Sequence, residues 1–483
     1  MRSQPTEPAI RLSGSDTTFI LDEPIEPQHT VKIAVFDEES SRDFRFEHMT
    51  EVLADAVTVL PQMQWRVRPV PFGLARPVWM TDPDFDVRNH VRHARLPAPG
   101  TKSQLCRMIG EAASVPVPPG RPPWEVWFFE GYEGNKVVAL LKMNHALADG
   151  GRFVELLDVL SHPQPGAATV APVIPHPPER TSDIDALRDG VRSMWLEYRR
   201  ELPRRLRAIR TGHAAAAGRA PAPHSPSMLR EQPELPWRGP LTPGRTFCWT
   251  SVPLADIKDM ARSVSGTVNA VVIAVVAGAV RDYLDETGGP LDGPLVANAA
   301  AKVSREGDTR LWGTAATNRT FALPSHLADP MDRLRAATVQ TQAVKASVAA
   351  RPVQREEWFD LAPPIVLRPM LRLARRMGQR VVPGALIVSN VRGPGEKRYF
   401  GGMGVENFIS CGHLKYAAGV NITVWSYADV LNFAVYGCSR TLPDESFTAR
   451  IQSAFEELRD ATGVTGRASA TAAGAAAGHR QHA

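Results

Sequence analysis

Cysteine is scarce in this 483-residue chain: Cys106, Cys248, Cys411 and Cys438 are all there are. They stand far apart, with no CxxC pair and no metal-ligand spacing. That excludes a disulfide framework or a zinc-ribbon site and fits reduced thiols in a cytosolic setting. Charge of one sign is scarce too. Lys plus Arg number 56 against 51 Asp plus Glu, a net charge of +5, too small a bias over this length to point to nucleic acid. Long apolar runs are missing. The strongest, "VVIAVVAGAV" (271–280), is about half of what a membrane span requires. The opening "MRSQPTEPAIRLSGSD" lacks the apolar core of a signal peptide. Common enzyme signatures are absent as well: there is no GxSxG elbow, GxxxxGK phosphate loop, HExxH, or GxGxxG after a strand. His90 and His93 could share a helix face, but no third ligand lies near them, so they read as structural and no metal site is expected.

What is present is a folded composition, 43% hydrophobic and 22% charged, in a chain long enough for two or three domains. It divides into two blocks and a bridge. The first block covers 1–161, with strands expected at "TVKIAVF" (30–36) and "KVVALLKM" (136–143) and a helix resuming at "RFVELLDVL" (152–160). The bridge, 162–236, opens with the proline-dense "HPQPGAATVAPVIPHPPER", which neither helix nor central strand tolerates. It continues with a helix over 183–202, capped by Ser182, apolar at Ile184, Leu187, Val191, Met194, Tyr198 and Leu202, and ended or kinked by Pro203. An arginine-rich "RRLRAIR" and a low-complexity loop follow. The second block, 237–466, holds a strong helix over 267–288 closed by glycines, a turn-rich stretch at 387–402, and two strands around Ala428-Asp429 within 419–437. The tail 467–483 has no apolar period and is expected to be disordered.

The chemistry concentrates in "LLKMNHALADGGRF" (140–153), where a strand hands over to a helix. A base working at neutral pH should titrate near that pH, as histidine does. A strand end gives His145 a rigid mount. Asp149 is placed to fix the loop, by hydrogen bonding or by pairing with a distant arginine, and Gly150 and Gly151 allow a sharp turn and close backbone approach. On spacing alone, a buried histidine beside a turn-forming Asp-Gly is the favoured reading and catalysis the alternative.

The motif HxxxDG, commonly HHxxxDG, together with "RLSGSDTTFI" (11–20), "PQHTV" (27–31), "DPDFDVRNHVRHARLPAPG" (82–100), "RPPWEVWFFEGYEGNKVVALLKMNHALADG" (121–150), "TVNAVVIAVVAGAVRDYL" (267–284), "SNVRGP" (389–394) and "GVNITVWSY" (419–427), resembles the bacterial wax ester synthase/diacylglycerol acyltransferases. These belong to the acyl-CoA-dependent acyltransferases with a chloramphenicol-acetyltransferase-like fold. The resemblance implies a mixed α/β fold: two blocks, each a mixed sheet flanked by helices, with an active-site tunnel between them. It implies an O-acyltransferase that moves a fatty acyl group from acyl-CoA to a lipid hydroxyl, converting diacylglycerol to triacylglycerol or a fatty alcohol to a wax ester. His145 would be the general base, with no acyl-enzyme, and Asn144, Asp149 and Gly150 would support the motif. Asn269, matching the first residue of the family's Asn-Asp motif, would face the site as a polar group or make local helix-terminal bonds. The co-substrate is acyl-CoA and no further cofactor is implied. The acceptor, diacylglycerol or a long-chain alcohol, implies a cytoplasmic protein with peripheral contact to the inner face of a membrane or to lipid droplets. The 183–202 helix would either pack between the blocks or lie on anionic lipid. The sequence departs from the family at Asn144 (for the first His), Ala270 (for Asp), Pro123 (for Leu) and Arg392 (within Asn-Val-Pro-Gly-Pro). These departures bear on acceptor and catalytic strength. The alternatives are a secondary-metabolite acceptor, or a homologue that binds lipid or CoA with weakened catalysis.

Overall fold

A computed structural model describes residues 9–166, 172, 174–178, 182–216, 234–289, 291–302, 310–350, 357–381, 384–414, 418–442 and 445–465. The 467–483 tail and most of the low-complexity loop lie outside the described residues.

Two six-stranded mixed sheets organise the chain. The first runs, in spatial order, Arg398–Phe400, Met403–Cys411, His29–Phe36, Lys136–Asn144, Trp124–Tyr132, Val91–Arg95. The second runs Arg245–Pro253, Val430–Cys438, Val420–Tyr427, Ile387–Val391, Leu295–Lys302, Ala316–Leu323. Two strands of the first sheet therefore come from late in the chain. The stretch 387–402, expected to be turns, instead supplies strand Ile387–Val391 to one sheet and Arg398–Phe400 to the other. Gly393, Pro394 and Gly395 sit in the link between them, Gly401 and Gly402 follow the second strand, and only short apolar runs mark the strands.

Alternation along the 29–36 strand sorts its side chains. Val31, Ile33 and Val35 face helix Lys102–Ser114 and share one apolar core with the second sheet and its helices. Phe36 faces the other way, into a core built with helix Phe46–Val59 and Phe153 of helix Gly150–Leu160. Strand 403–411 seals the junction of the sheets: Asn432 Nδ2 donates to Asn407 Oδ1 (2.8 Å) and to the Phe408 carbonyl (3.0 Å).

Helix Val268–Thr287 forms as expected, with Thr267 capping it and Gly288 ending it. Its apolar run is buried core. No single helix among the described residues is long and apolar enough to cross a membrane. The bridge helix departs from expectation. It runs unbroken over Asp183–Ala216 with Pro203 inside, so the lost N–H does not end it. Ser182 does cap it. Its buried line is Ala186, Gly190 and Met194, where Gly190 lets it close on Ala75, while Ile184, Val191 and Tyr198 of the expected face are exposed. His90 and His93 share no helix face. His90 is buried on the Trp124 ring, and His93 lies in strand Val91–Arg95, 2.5 Å from Glu130.

Candidate active site

The motif loop is held from both halves of the molecule. Strand Lys136–Asn144 ends in a turn, closed by the Leu147 N–H on the Asn144 carbonyl (3.0 Å), and helix Gly150–Leu160 follows. Asp149 caps that helix: its Oδ1 accepts the Arg152 N–H (2.9 Å). Its Oδ2 accepts the Ala315 N–H (2.7 Å). Of the two roles open to this aspartate, the structure shows hydrogen bonding to the backbone. Segment 313–315 is tied three times over, since Gly313 N–H donates to the Leu147 carbonyl (2.8 Å) and Thr314 N–H to Asp16 Oδ1 (3.0 Å). Gly313 has φ +78°, a conformation that suits glycine. Gly150 and Gly151 do not need theirs: neither has positive φ, and a Cβ on either would meet its nearest neighbour at an ordinary 3.5 Å. The sharp turn expected of them is made by residues 145–149.

His145 is half-buried on the wall of a cavity of about 330 Å³. Its ring packs between Phe19 and His413, with centroids 4.6 Å from each. Nδ1 lies 3.3 Å from Thr314 Oγ1, and that hydroxyl in turn donates to the His145 carbonyl (3.4 Å). In the tautomer protonated at Nδ1, that nitrogen donates to Thr314 Oγ1 and the imidazole lone pair lies on Nε2. Asp149, Gly150, Thr30, Lys32, Asn390 and Arg392 stand on the same cavity wall.

Asn144, next in the chain, belongs to a different environment. It is fully buried and does not line this cavity. Its Nδ2 donates to Glu23 Oε2 (2.9 Å) and its Oδ1 accepts the Ala146 N–H (2.9 Å). Glu23 also accepts from the Gln28 and Val117 N–H groups, at 2.7 and 2.9 Å. His29, opposite Asn144 in the sheet, reaches Glu23 Oε1 through Nδ1 (3.1 Å) and the Ala113 carbonyl through Nε2 (2.8 Å). Burial works to raise the Glu23 pKa, but the charge and hydrogen bond of His29 and the two backbone donors outweigh it and hold the carboxyl below its usual range. Complete burial holds the His29 pKa below its usual value against the opposing pull of Glu23, and Asn144 completes the hydrogen-bond shell of the carboxyl. A neutral histidine at 144 would carry the same one donor and one acceptor.

Asn269 is exposed in the first turn of its helix and is absent from the cavity wall. It meets the wall through Asn390, whose Nδ2 donates to Asn269 Oδ1 (3.3 Å). Neighbouring Ala270 is fully buried against the Thr267 cap. Sequence reasoning missed Thr314, His413 and Lys32 as cavity residues. Lys32 is buried, and its Nζ donates to Ser410 Oγ (2.7 Å). Burial pushes its ammonium down to about 8, against the opposing pull of Cys411 and Asp149. The one available signal was a lysine in an otherwise apolar strand. Among the described residues, no group of three His, Cys, Asp or Glu side chains is placed to hold a metal.

The histidine-bearing cavity lies between two mixed six-stranded sheets, and this two-lobed fold is shared with solved structures. The solved wax ester synthase/diacylglycerol acyltransferase from Marinobacter aquaeolei VT8 superposes with TM-score 0.64 at 20% identity, covering 94% of this chain and all of that one. The first condensation domain of the calcium-dependent antibiotic synthetase does so with 0.60 at 16%, covering 95% and 97%. The family follows from sequence. Residues 12–272 match the wax ester synthase/diacylglycerol acyltransferase catalytic domain, and residues 312–459 match the WS/DGAT C-terminal domain. Two Mycobacterium tuberculosis H37Rv proteins, provisionally named diacylglycerol O-acyltransferases, are 31% and 30% identical. The alignments cover 88% and 94% of this chain and 91% and 97% of theirs. The chain belongs to the wax ester synthase/diacylglycerol acyltransferase family and is an acyl-CoA-dependent O-acyltransferase of that type.

Proposed function

We propose that this enzyme esterifies a lipid alcohol, diacylglycerol or a long-chain alcohol, with the acyl group of acyl-CoA, and that His145 is the general base. The observation that carries the reading is the place of His145 on the cavity wall, with Nδ1 3.3 Å from Thr314 Oγ1; with Nδ1 protonated, Nε2 is the basic nitrogen. In the reaction, Nε2 takes the acceptor's hydroxyl proton as its oxygen attacks the thioester carbonyl. The C–S bond then breaks, and the proton passes to the departing CoA thiolate. Direct transfer requires no nucleophilic side chain. Asn144 does not argue for a weakened homologue on this reading, because it stabilises Glu23 and the loop rather than the reacting atoms.

The acceptors are lipids, and the surface supports contact with a bilayer or droplet. Phe72 and Ile25 are exposed on the wall of a cleft of about 960 Å³, beside Arg121, Arg368 and Arg372, and exposed Ile365 follows Pro364 of the same wall. Apolar side chains among arginines suit an anionic lipid surface.

The test is to supply acyl-CoA with diacylglycerol or a long-chain alcohol and measure the ester and the free CoA. Ester should form in step with CoA, and acyl-CoA alone should give no stoichiometric burst of CoA. A burst without alcohol would establish an acyl-enzyme and overturn direct transfer. The absence of ester with every lipid alcohol would overturn the acceptor class.

A further inference from the structure

Beside the catalytic cavity lies a second, smaller one of about 90 Å³, between the first sheet and helix 150–160. Ala34 and Ala139, paired across neighbouring strands, line it with Phe36, Phe128 and Leu157. Its polar neighbours are engaged elsewhere. The Tyr427 hydroxyl donates to the Val405 carbonyl, and Arg398 binds Ser161 and Asp158. A space so lined accepts an alkyl chain and little else.

Lys32 walls both cavities. On the 29–36 strand, Thr30 faces the catalytic cavity while Ala34 and Phe36 line the apolar one, all on the face that Lys32 shares. The ammonium is latched to Ser410, its partner across the sheet, and lies 4.9 Å from the Phe153 ring centroid. We infer that Lys32 is a specificity-determining partition, which closes the apolar cavity to the alkyl chain of a bound substrate and so limits chain length. The chain belongs to the acyl donor or to the alcohol, and both would present the same methylenes to this wall. An apolar side chain between Phe153 and Trp425 would pack here without the cost of burying an ammonium, so the lysine is not explained by stability.

Two strand residues advance about 6.8 Å, roughly the length of five methylenes, and each methylene newly buried is worth about fourfold in binding. The inference rests on the acyl-transfer reading of the same site, and the experiment separates the two. kcat/KM is measured for wild type, Lys32→Met and Lys32→Ala from hexanoyl- to palmitoyl-CoA with one alcohol, then from hexanol to hexadecanol with one acyl-CoA. In one of these series the long-to-short ratio should rise at least about tenfold in Lys32→Ala, with Lys32→Met between it and wild type. Which series responds identifies the chain. Ratios unchanged in both variants and both series overturn the partition while leaving acyl transfer intact. If no ester forms at all, the acyl-transfer reading fails, and calorimetric titration with the free alcohols still decides the partition. There, the gain in affinity with chain length should be steeper in the variants than in wild type, and parallel slopes overturn it.

Discussion

At the residue scale, two adjacent side chains divide the labour of the motif. His145 faces the cavity, and Asn144 faces a buried carboxylate. Removing the amide strips one of several donors from Glu23 and the side-chain acceptor from the Ala146 N–H, and a buried group left unpaired costs about 1–3 kcal/mol. Asn144→Ala should therefore lower the midpoint of denaturant unfolding by a clearly measurable step. Asn144→His should hold both stability and ester synthesis near wild type, because a neutral imidazole restores one donor and one acceptor. Equal loss in both variants would show that the site requires the amide itself. Position 144 was legible as a departure from HHxxxDG, but its role was not. Glu23 lies 121 residues away in sequence, and no local pattern links the two.

At the element scale, the strand-to-helix junction that carries the motif was readable from periodicity, and so was the helix over 268–287. The bridge helix was misread at its face and its end, because an apolar stripe does not say what it packs against. The observed helix buries the small residues Ala186 and Gly190 and exposes Ile184, Val191, Trp195 and Leu196. With Phe72 and Ile365 near the cleft, these side chains supply the apolar part of the proposed lipid contact. Co-sedimentation with anionic vesicles should retain wild-type protein and weaken at high salt. Replacing Phe72 and Ile365 together by Asp should reduce retention at least about tenfold, with unchanged thermal stability. Unaltered retention would move the lipid contact elsewhere on the molecule.

At the scale of the whole molecule, the site exists only because the halves are stitched together. Strands 398–400 and 403–411 complete the first sheet from late in the chain. Thr314 and Ala315 hold the motif loop from across the cavity, and His413 packs on the base. None of these was legible locally. Their only sequence signal was the run of family-like segments extending well beyond the motif. The claim on which the rest depends is that this assembled His145 removes the acceptor's proton. It is tested most directly by the rate of alcohol-dependent CoA release in His145→Ala against wild type, both shown to be folded by circular dichroism. The rate should fall by about 10²–10⁴-fold, the usual worth of general-base catalysis. A variant that keeps the wild-type rate would contradict it.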